Sequence, residues 1–395
     1  MQFSFQAIIN ALNADLPPSD NFAFAMARAT TIPSDYLLNQ FLPQEERPDF
    51  HVSGGNMTIY PTMLGQVAMD SPYPPMGAIT SETFFQKTTK LAGMMFFTEE
   101  QQRELMQIEQ QMFGIAGRDG RNLSDVMGSL SVDENGRGDN NTVAGRRLNA
   151  ILGISRTIIK SHWDTYEWLR SKTLFYGEID WTFNKLPLKV NYQVPSAYFH
   201  TLRDNNDAYQ GSASKWWTDI RWLHTQLDDF VLVMDNNTYL SIIDNPVNNI
   251  SIAVSDGMRR ELVFSNPAHV KDKGVDIRDR VEVYVYNKSG TIINAQTGAL
   301  TPERFAPTGR ILAVGKATPE GYELLQGSVE DPDNNLRLGY THLAPTIEGG
   351  FRSGIWSRIF TPQDLPMQVK AETAVNMLPA LLNPKRMRVL RTTVS

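Results

Sequence analysis

The sequence contains no cysteine. That rules out disulfide staples, thiolate nucleophiles and every cysteine-ligated zinc site, and it suits a chain assembled in a reducing cytoplasm. Long hydrophobic runs are missing too: no stretch approaches the ~18–20 apolar residues of a membrane span, so no membrane partner is expected, and no basic secretory leader is present. An excess of positive charge is also lacking. Lys and Arg number 37 against 43 Asp and Glu, for a formal net charge of -6, which argues against non-specific binding to a phosphate backbone as the main task. The six histidines (His51, His162, His200, His224, His269, His342) are scattered. None has the spacing that would put two metal ligands on one helix face.

Motifs that carry chemistry are similarly wanting. Gly309 to Lys316 looks superficially like a phosphate loop, but its first glycine is one place early and Ala317 stands where a magnesium-binding hydroxyl belongs. Asp133 to Gly138 begins like a calcium loop, but Arg137 takes a ligand position and Ala144 replaces the closing glutamate. There is no Gly-x-Ser-x-Gly elbow and no Gly-x-Gly-x-x-Gly after a strand. Arg137-Gly138-Asp139 spells an adhesion tripeptide, a pattern that arises often by chance. No catalytic, cofactor-binding or metal residue is therefore assigned, no cofactor is expected, and the chain does not read as an enzyme.

What is present is a chain of 395 residues, 41% hydrophobic, long enough for a large core. Its first hundred residues are apolar and aromatic without a pattern that closes a core of their own. Phe5, Ile8, Ile9 and Leu12 form a short amphipathic turn, followed by coil broken by Pro17, Pro18, Pro33, Pro43 and Pro48. Extended runs near Asn56–Met69 and Ala78–Phe97 flank a turn-forming Asp70–Gly77, which predicts a long β-hairpin. Thr98 and Gln101 make a capping box for a helix over about Glu99–Phe113, with Leu105, Ile108 and Met112 along one face. A polar loop, Gly117–Asn141, precedes a second and very long helix with a stripe through Leu148, Ile151, Ile158, Trp163, Tyr166 and Leu169. Mixed α and β elements follow: a helix near Ser214–Gln226 that buries Trp216, strands at Phe230–Met234, Val281–Tyr286 and Arg310–Val314, and a closing strand Met387–Val394. Lys385, Arg386, Arg388 and Arg391 crowd the C-terminal end and read as a solvated strand edge or subunit contact, or else as a polyanion contact.

This order of elements resembles that of the major capsid proteins of tailed bacteriophages, the Hong Kong 97-like (HK-97-like) fold, and in particular the lambda-type capsid E family. The residues that carry the resemblance are Tyr36-Leu-Leu-Asn-Gln-Phe-Leu-Pro43, Thr83 to Phe97 before Thr98-Glu-Glu-Gln-Gln-Arg-Glu-Leu105, Trp168 to Gly177, Phe360 to Pro366, and Leu378 to Pro384. The loop Gly117–Asn141 departs from the family pattern.

The resemblance implies an α+β capsid fold, with an N-terminal arm over residues 1–55 and an extended β-hairpin loop over 56–97. A peripheral domain follows over 98–194, with a spine helix at about 143–174. An axial domain over 195–344 is mixed α/β, and 345–395 return to the peripheral domain and the C-terminal strand. It also implies a structural protein that assembles with itself as pentamers and hexamers into an icosahedral head in the virion, formed in the host cytoplasm and enclosing double-stranded DNA without sequence-specific contact. Further partners would be a portal, a decoration protein and a scaffolding protein. The scaffold is expected as a separate chain, because residues 1–50 are too short and too apolar to be one. The inter-subunit contact candidates are Phe22, Tyr36, Phe41, Phe84 and Phe85, since buried aromatics carry much interface energy, with Lys87 and Lys90 in the hairpin. Two alternatives stay open. An encapsulin-like nanocompartment would share the fold and enclose a cargo enzyme, and a soluble hydrolase would keep a site in the lobe Pro195–Ala344.

Overall fold

The long helix begins where Thr142, in an extended conformation, accepts a hydrogen bond from the Gly145 N–H at 3.1 Å. It runs Val143–Tyr176, 34 residues, or about 50 Å at ~1.5 Å per residue. It stops at Gly177, whose φ of +71° only glycine adopts readily and where a Cβ would lie 2.9 Å from the Phe199 ring. The computed structural model describes residues 4–14, 16, 22–60, 78–118, 137–140, 142–183, 186–201, 216–227, 229–248, 250–264, 280–293, 300–316, 323–326, 336–362 and 368–391. Its helices are α1 (Phe5–Asn13), α2 (Phe22–Ala29), α3 (Glu99–Arg118), the spine α4 (Val143–Tyr176), α5 (Trp216–Gln226) and α6 (Asn236–Ile243).

Two sheets pack on the spine's apolar stripe. The peripheral sheet has β1 (Gln44–Glu46), β16 (Gly339–Thr346), β19 (Val369–Leu381) and β18 (Trp356–Phe360) in that order, with β17 (Arg352–Ser353) on β16 and β4 (Thr89–Phe97) on β19. Along β19 the odd residues Val369, Ala371, Val375 and Met377 are buried, as the period of two requires for a sheet covered on one face. They meet α1, α2 and the first half of the spine through Ile8, Phe22, Leu148 and Ile151, and its second half through Trp163 and Tyr166. The axial sheet is seven-stranded: β7 (Phe199–Thr201), β20 (Met387–Arg391), β14 (Arg310–Gly315), β8 (Phe230–Met234), β11 (Arg280–Val285), β10 (Arg259–Phe264) and β9 (Ile250–Asp256). Its central strand β8, Phe-Val-Leu-Val-Met, is buried on both faces, so it reads as a continuous apolar run. One face packs with Trp216, Ile220 and Leu223 of α5, the other with the core around the spine. Two small ribbons, β5 (Glu178–Phe183) with β6 (Leu186–Asn191) and β12 (Ser289–Ile293) with β13 (Leu300–Arg304), flank the spine.

The hairpin is β2 (His51–Tyr60) against β3 (Ala78–Lys87), paired residue for residue from His51↔Lys87 to Tyr60↔Ala78. Here the sequence reading needs correction. The predicted run Ala78–Phe97 splits at Thr88, its first half staying in the hairpin and its second half, β4, joining β19 from Val369↔Phe97 to Met377↔Thr89. A third strand, β15 (Glu323–Gln326), adds to β2, so a segment assigned to the axial lobe belongs to the hairpin. The closing strand, expected to return to the peripheral body, lies in the axial sheet between β7 and β14. Its apolar residues Met387, Val389 and Leu390 fill both sides of that sheet. The basic cluster beside it is largely internal. Arg386 donates to the Gly315 carbonyl at 2.7 and 3.0 Å, and Arg388 is buried with its guanidinium 3.9 Å from the Tyr198 ring centroid.

His162 of the spine is buried and bonds through Nε2 to the Thr373 hydroxyl at 2.6 Å. Thr373 spends its proton on the Trp356 carbonyl, so the ring nitrogen must be the donor. Burial holds it well below the usual range, at about 4. A histidine that folds only when neutral contributes stability present above its unfolded value of 6.5 and lost as pH falls toward 4, up to about 3 kcal/mol. Urea unfolding of His162→Gln between pH 7 and 4 should therefore show a pH dependence weaker than that of the parent by about that amount.

Candidate inter-subunit surfaces

The arm residues singled out in the sequence turn out to be internal. Phe22, Tyr36 and Phe41 are all buried in the core of their own chain. Tyr36 donates to Asp164 Oδ1 at 2.7 Å and packs edge-on against Trp163, and the Lys288 ammonium sits 3.1 Å from its ring centroid. Burial and the Asp164 carboxylate push its hydroxyl pKa far up. These three residues fasten the arm to the body that carries them and are not free anchors for a neighbour.

The fastening centres on an ion pair that no pattern in the sequence singles out. Glu167 and Arg170, one turn apart on the spine, are fully buried and lie 3.2 Å from each other. Glu167 Oε1 also accepts from the Leu38 N–H at 2.7 Å and from the Tyr286 hydroxyl at 2.6 Å, while that hydroxyl accepts from the Leu37 N–H. Arg170 donates to the Thr341 hydroxyl and to Asn39 Oδ1, each at 2.8 Å, and Thr341 passes its own proton to the Leu42 carbonyl. Burial pushes the Glu167 carboxyl up from its ordinary value and Arg170 opposes it. Arm, spine, axial lobe and peripheral sheet all meet in this node.

The uncovered surface lies elsewhere, on the outer face of the peripheral sheet. Cross-strand register aligns Ala92 with Ala374 and Trp356, Met94 with Glu372 and Arg358, and Phe96 with Lys370 and Phe360. Met94 is 54% and Phe96 42% exposed. Charges frame them: Arg358 pairs with Glu372 at 2.8 Å and lies 4.4 Å from the Phe360 ring. Lys90 pairs with Glu348 and draws that carboxyl below its usual range. A shallow groove of about 590 Å³ runs between these residues. Beside it the turn Ile347–Phe351 presents two large apolar side chains, 73% and 68% exposed. Phe351 sits at φ +62°, a conformation that costs a non-glycine residue about 1–2 kcal/mol. Ile-Glu-Gly-Gly-Phe, a double glycine between bulky apolar residues, was the one signal in the sequence that could have flagged this turn.

The remaining candidates fall in the hairpin and α3. Lys87 ends β3 and is exposed, and Lys90 lies in β4 on the outer face. Phe84 and Phe85 are placed in β3 by their backbone, and their side chains lie outside the described residues. On the expected apolar face of α3, Leu105 is half-buried and Ile108 exposed, and Met106 beside them is exposed too; the buried Glu109 takes a bidentate pair from Arg147 of the spine at 2.6 and 2.8 Å. Arg137-Gly138-Asp139 is folded against the start of the spine, with the Gly138 N–H and carbonyl both held by the Asn149 side chain.

This architecture has known counterparts. A protein assigned as the capsid protein of a prophage of E. coli CFT073 superposes with a TM-score of 0.52 at 13% identity, covering 98% of this chain and 97% of that one. The chain has the Hong Kong 97-like capsid fold. Looser likenesses are to the mature capsid of bacteriophage PhiM1 (TM-score 0.42, 8% identity, 92% and 88% covered) and to an encapsulin of Synechococcus elongatus PCC 7942 (0.40, 9%, 92% and 89%). The fold assignment rests on the first comparison. No family model and no curated protein matches the sequence, so the likeness to the capsid E group stands on its short motifs alone.

In the HK97-like subunit the Lys90–Glu348 pair is half exposed and holds the 347–351 turn against β4. Lys90→Met should change subunit stability by no more than about 1 kcal/mol, read by urea unfolding.

Proposed function

We propose that this chain is a structural protein that assembles with itself into the icosahedral head shell of a tailed bacteriophage enclosing double-stranded DNA. The observation that carries the reading is a mismatch within the subunit. The hairpin, ten paired residues per strand with β15 added to β2, forms a small sheet separate from the six-stranded one, and so small a sheet needs a hydrophobic face packed on something else to be stable. The outer face of the six-stranded peripheral sheet exposes Phe96 and, lining an open groove, Met94. A hairpin sheet that needs a surface and a surface that needs cover, carried on one chain, can meet between copies in a heterologous contact, the kind that repeats around a ring. The fold shared with the prophage protein over almost its whole length supports the same reading.

Lys87 and the aromatic pair Phe84–Phe85 are the hairpin's contact candidates, and Lys90, Met94 and Phe96 belong to the receiving face. Pentamers and hexamers of this chain form the shell, a separate scaffolding protein guides them, and a portal and a decoration protein complete the head in the host cytoplasm. The packaged DNA is held without sequence readout, in keeping with a net charge of -6. An encapsulin-like compartment is the rival reading, and what co-purifies, DNA or a cargo protein, separates the two.

Light scattering after size exclusion tests the proposal. The parent chain should elute as megadalton particles or as rings of five and six subunits. Met94→Glu with Phe96→Glu, and separately Phe84→Ala with Phe85→Ala, should give monomers with unchanged far-ultraviolet circular dichroism. A parent that stays monomeric with its scaffold present, or particles of normal size from both variants, would overturn it.

A further inference from the structure

The Glu167–Arg170 node is built from parts far apart in the chain. Asn39 and the N–H groups of Leu37 and Leu38 come from the arm, Tyr286 from the end of β11 in the axial lobe, and Thr341 from β16 of the peripheral sheet. Each contributes polar groups that the others leave unsatisfied. If the arm segment leaves, Glu167 loses the Leu38 N–H, Arg170 loses Asn39, and the Tyr286 hydroxyl loses Leu37. Thr341 then loses both partners it has in the arm, because its N–H donates to the Pro43 carbonyl at 2.7 Å and its hydroxyl to the Leu42 carbonyl at 2.8 Å. A half-satisfied buried charge pair is far more costly than a satisfied or an absent one, so partial undocking is disfavoured and the contacts give way together.

We propose that this node is a conformational latch that couples arm docking to the seating of the axial lobe on the peripheral sheet, so that whatever captures the arm also frees the lobe to move. A buried pair of this kind adds little net stability over an apolar core of the same volume. Its consequence is two discrete states, latched and unlatched, in place of a continuum of partly docked arms. Coupling of this sort is reciprocal: loosening the lobe side must loosen the arm, and the reverse. It is a property of the single subunit and does not depend on the assembly reading above, so either can fail alone.

Hydrogen exchange on the full-length chain, with parent and variants held in the same assembly state, tests the latch from both sides. Tyr286→Phe removes one hydroxyl in the axial lobe. It should speed exchange at least tenfold at the Leu338 and Thr341 amides, which bond to arm carbonyls and do not touch Tyr286. Asn39→Leu, in the arm, should speed exchange to a similar degree at the Tyr286 amide, bonded to the Met234 carbonyl, and Asn39→Asp, which keeps an acceptor for Arg170, should restore it. Amides of Leu312–Val314 in the axial sheet should not change in either variant. Acceleration confined to the segment bearing each substitution, or spread equally through Leu312–Val314, would overturn the latch in favour of independent or purely global stabilisation. If Asn39→Leu does not fold, Tyr286→Phe, which deletes a single oxygen, decides alone.

Discussion

The structure depends on a charge pair that has no access to water. Glu167 and Arg170 sit on the spine where the arm, the axial lobe and the peripheral sheet converge, and all five nitrogen and oxygen atoms that share charge in the pair find partners there. Desolvating two ions costs several kcal/mol each, and their attraction offsets this only when the remaining donors and acceptors are also satisfied. The pair therefore prescribes its surroundings: two backbone amides from residues 37 and 38, an amide oxygen at 39, a phenol at 286 and a hydroxyl at 341. Tyr36, Leu37, Leu38, Phe41 and Leu42 are buried around it, so apolar burial supplies the stability and the polar node fixes where each part sits.

That arrangement leaves the subunit with its interior complete and its periphery unfinished. Phe22, Tyr36 and Phe41 are consumed internally, while Met94, Phe96, Ile347, Phe351, Met106 and Ile108 face outward. Single exposed apolar residues are common on any protein. Four of these, Met94, Phe96, Ile347 and Phe351, gather on or beside one sheet face next to a groove, the kind of contiguous apolar patch that marks an interaction surface. The charged pairs Lys90–Glu348 and Arg358–Glu372 lie among them.

Much of the fold was legible in the sequence because it rests on local rules. The spine was read from its 3.6-residue stripe and ended within two residues of the observed position, where Gly177 enforces the stop. Phe230–Met234 was readable because a strand buried on both faces is an unbroken apolar run. The capping box Thr98–Gln101 marks α3, and both of its hydrogen bonds form. The errors share one cause. The break at Thr88, the recruitment of Glu323–Gln326 by the hairpin and the place of Met387–Arg391 in the axial sheet are all choices of strand partner, and alternation along a strand says which face is apolar without saying which neighbour it pairs with.

The sequence by itself determined the spine, α3, the central strand β8, the absence of thiol chemistry and the apolar character of the arm, because each depends on residues adjacent in the chain or spaced by one helical turn, whereas Phe22–Ala29, read as coil, is helix α2. Only the tertiary structure decided which aromatic residues are anchors and which are exposed, since Tyr36 and Phe96 are equally apolar on paper and differ only in what folds over them. It also decided the role of Glu167 and Arg170. On a helix such a pair three residues apart reads as an ordinary surface contact, and it becomes the centre of the molecule only because segments some 130 and 170 residues away in sequence close over it.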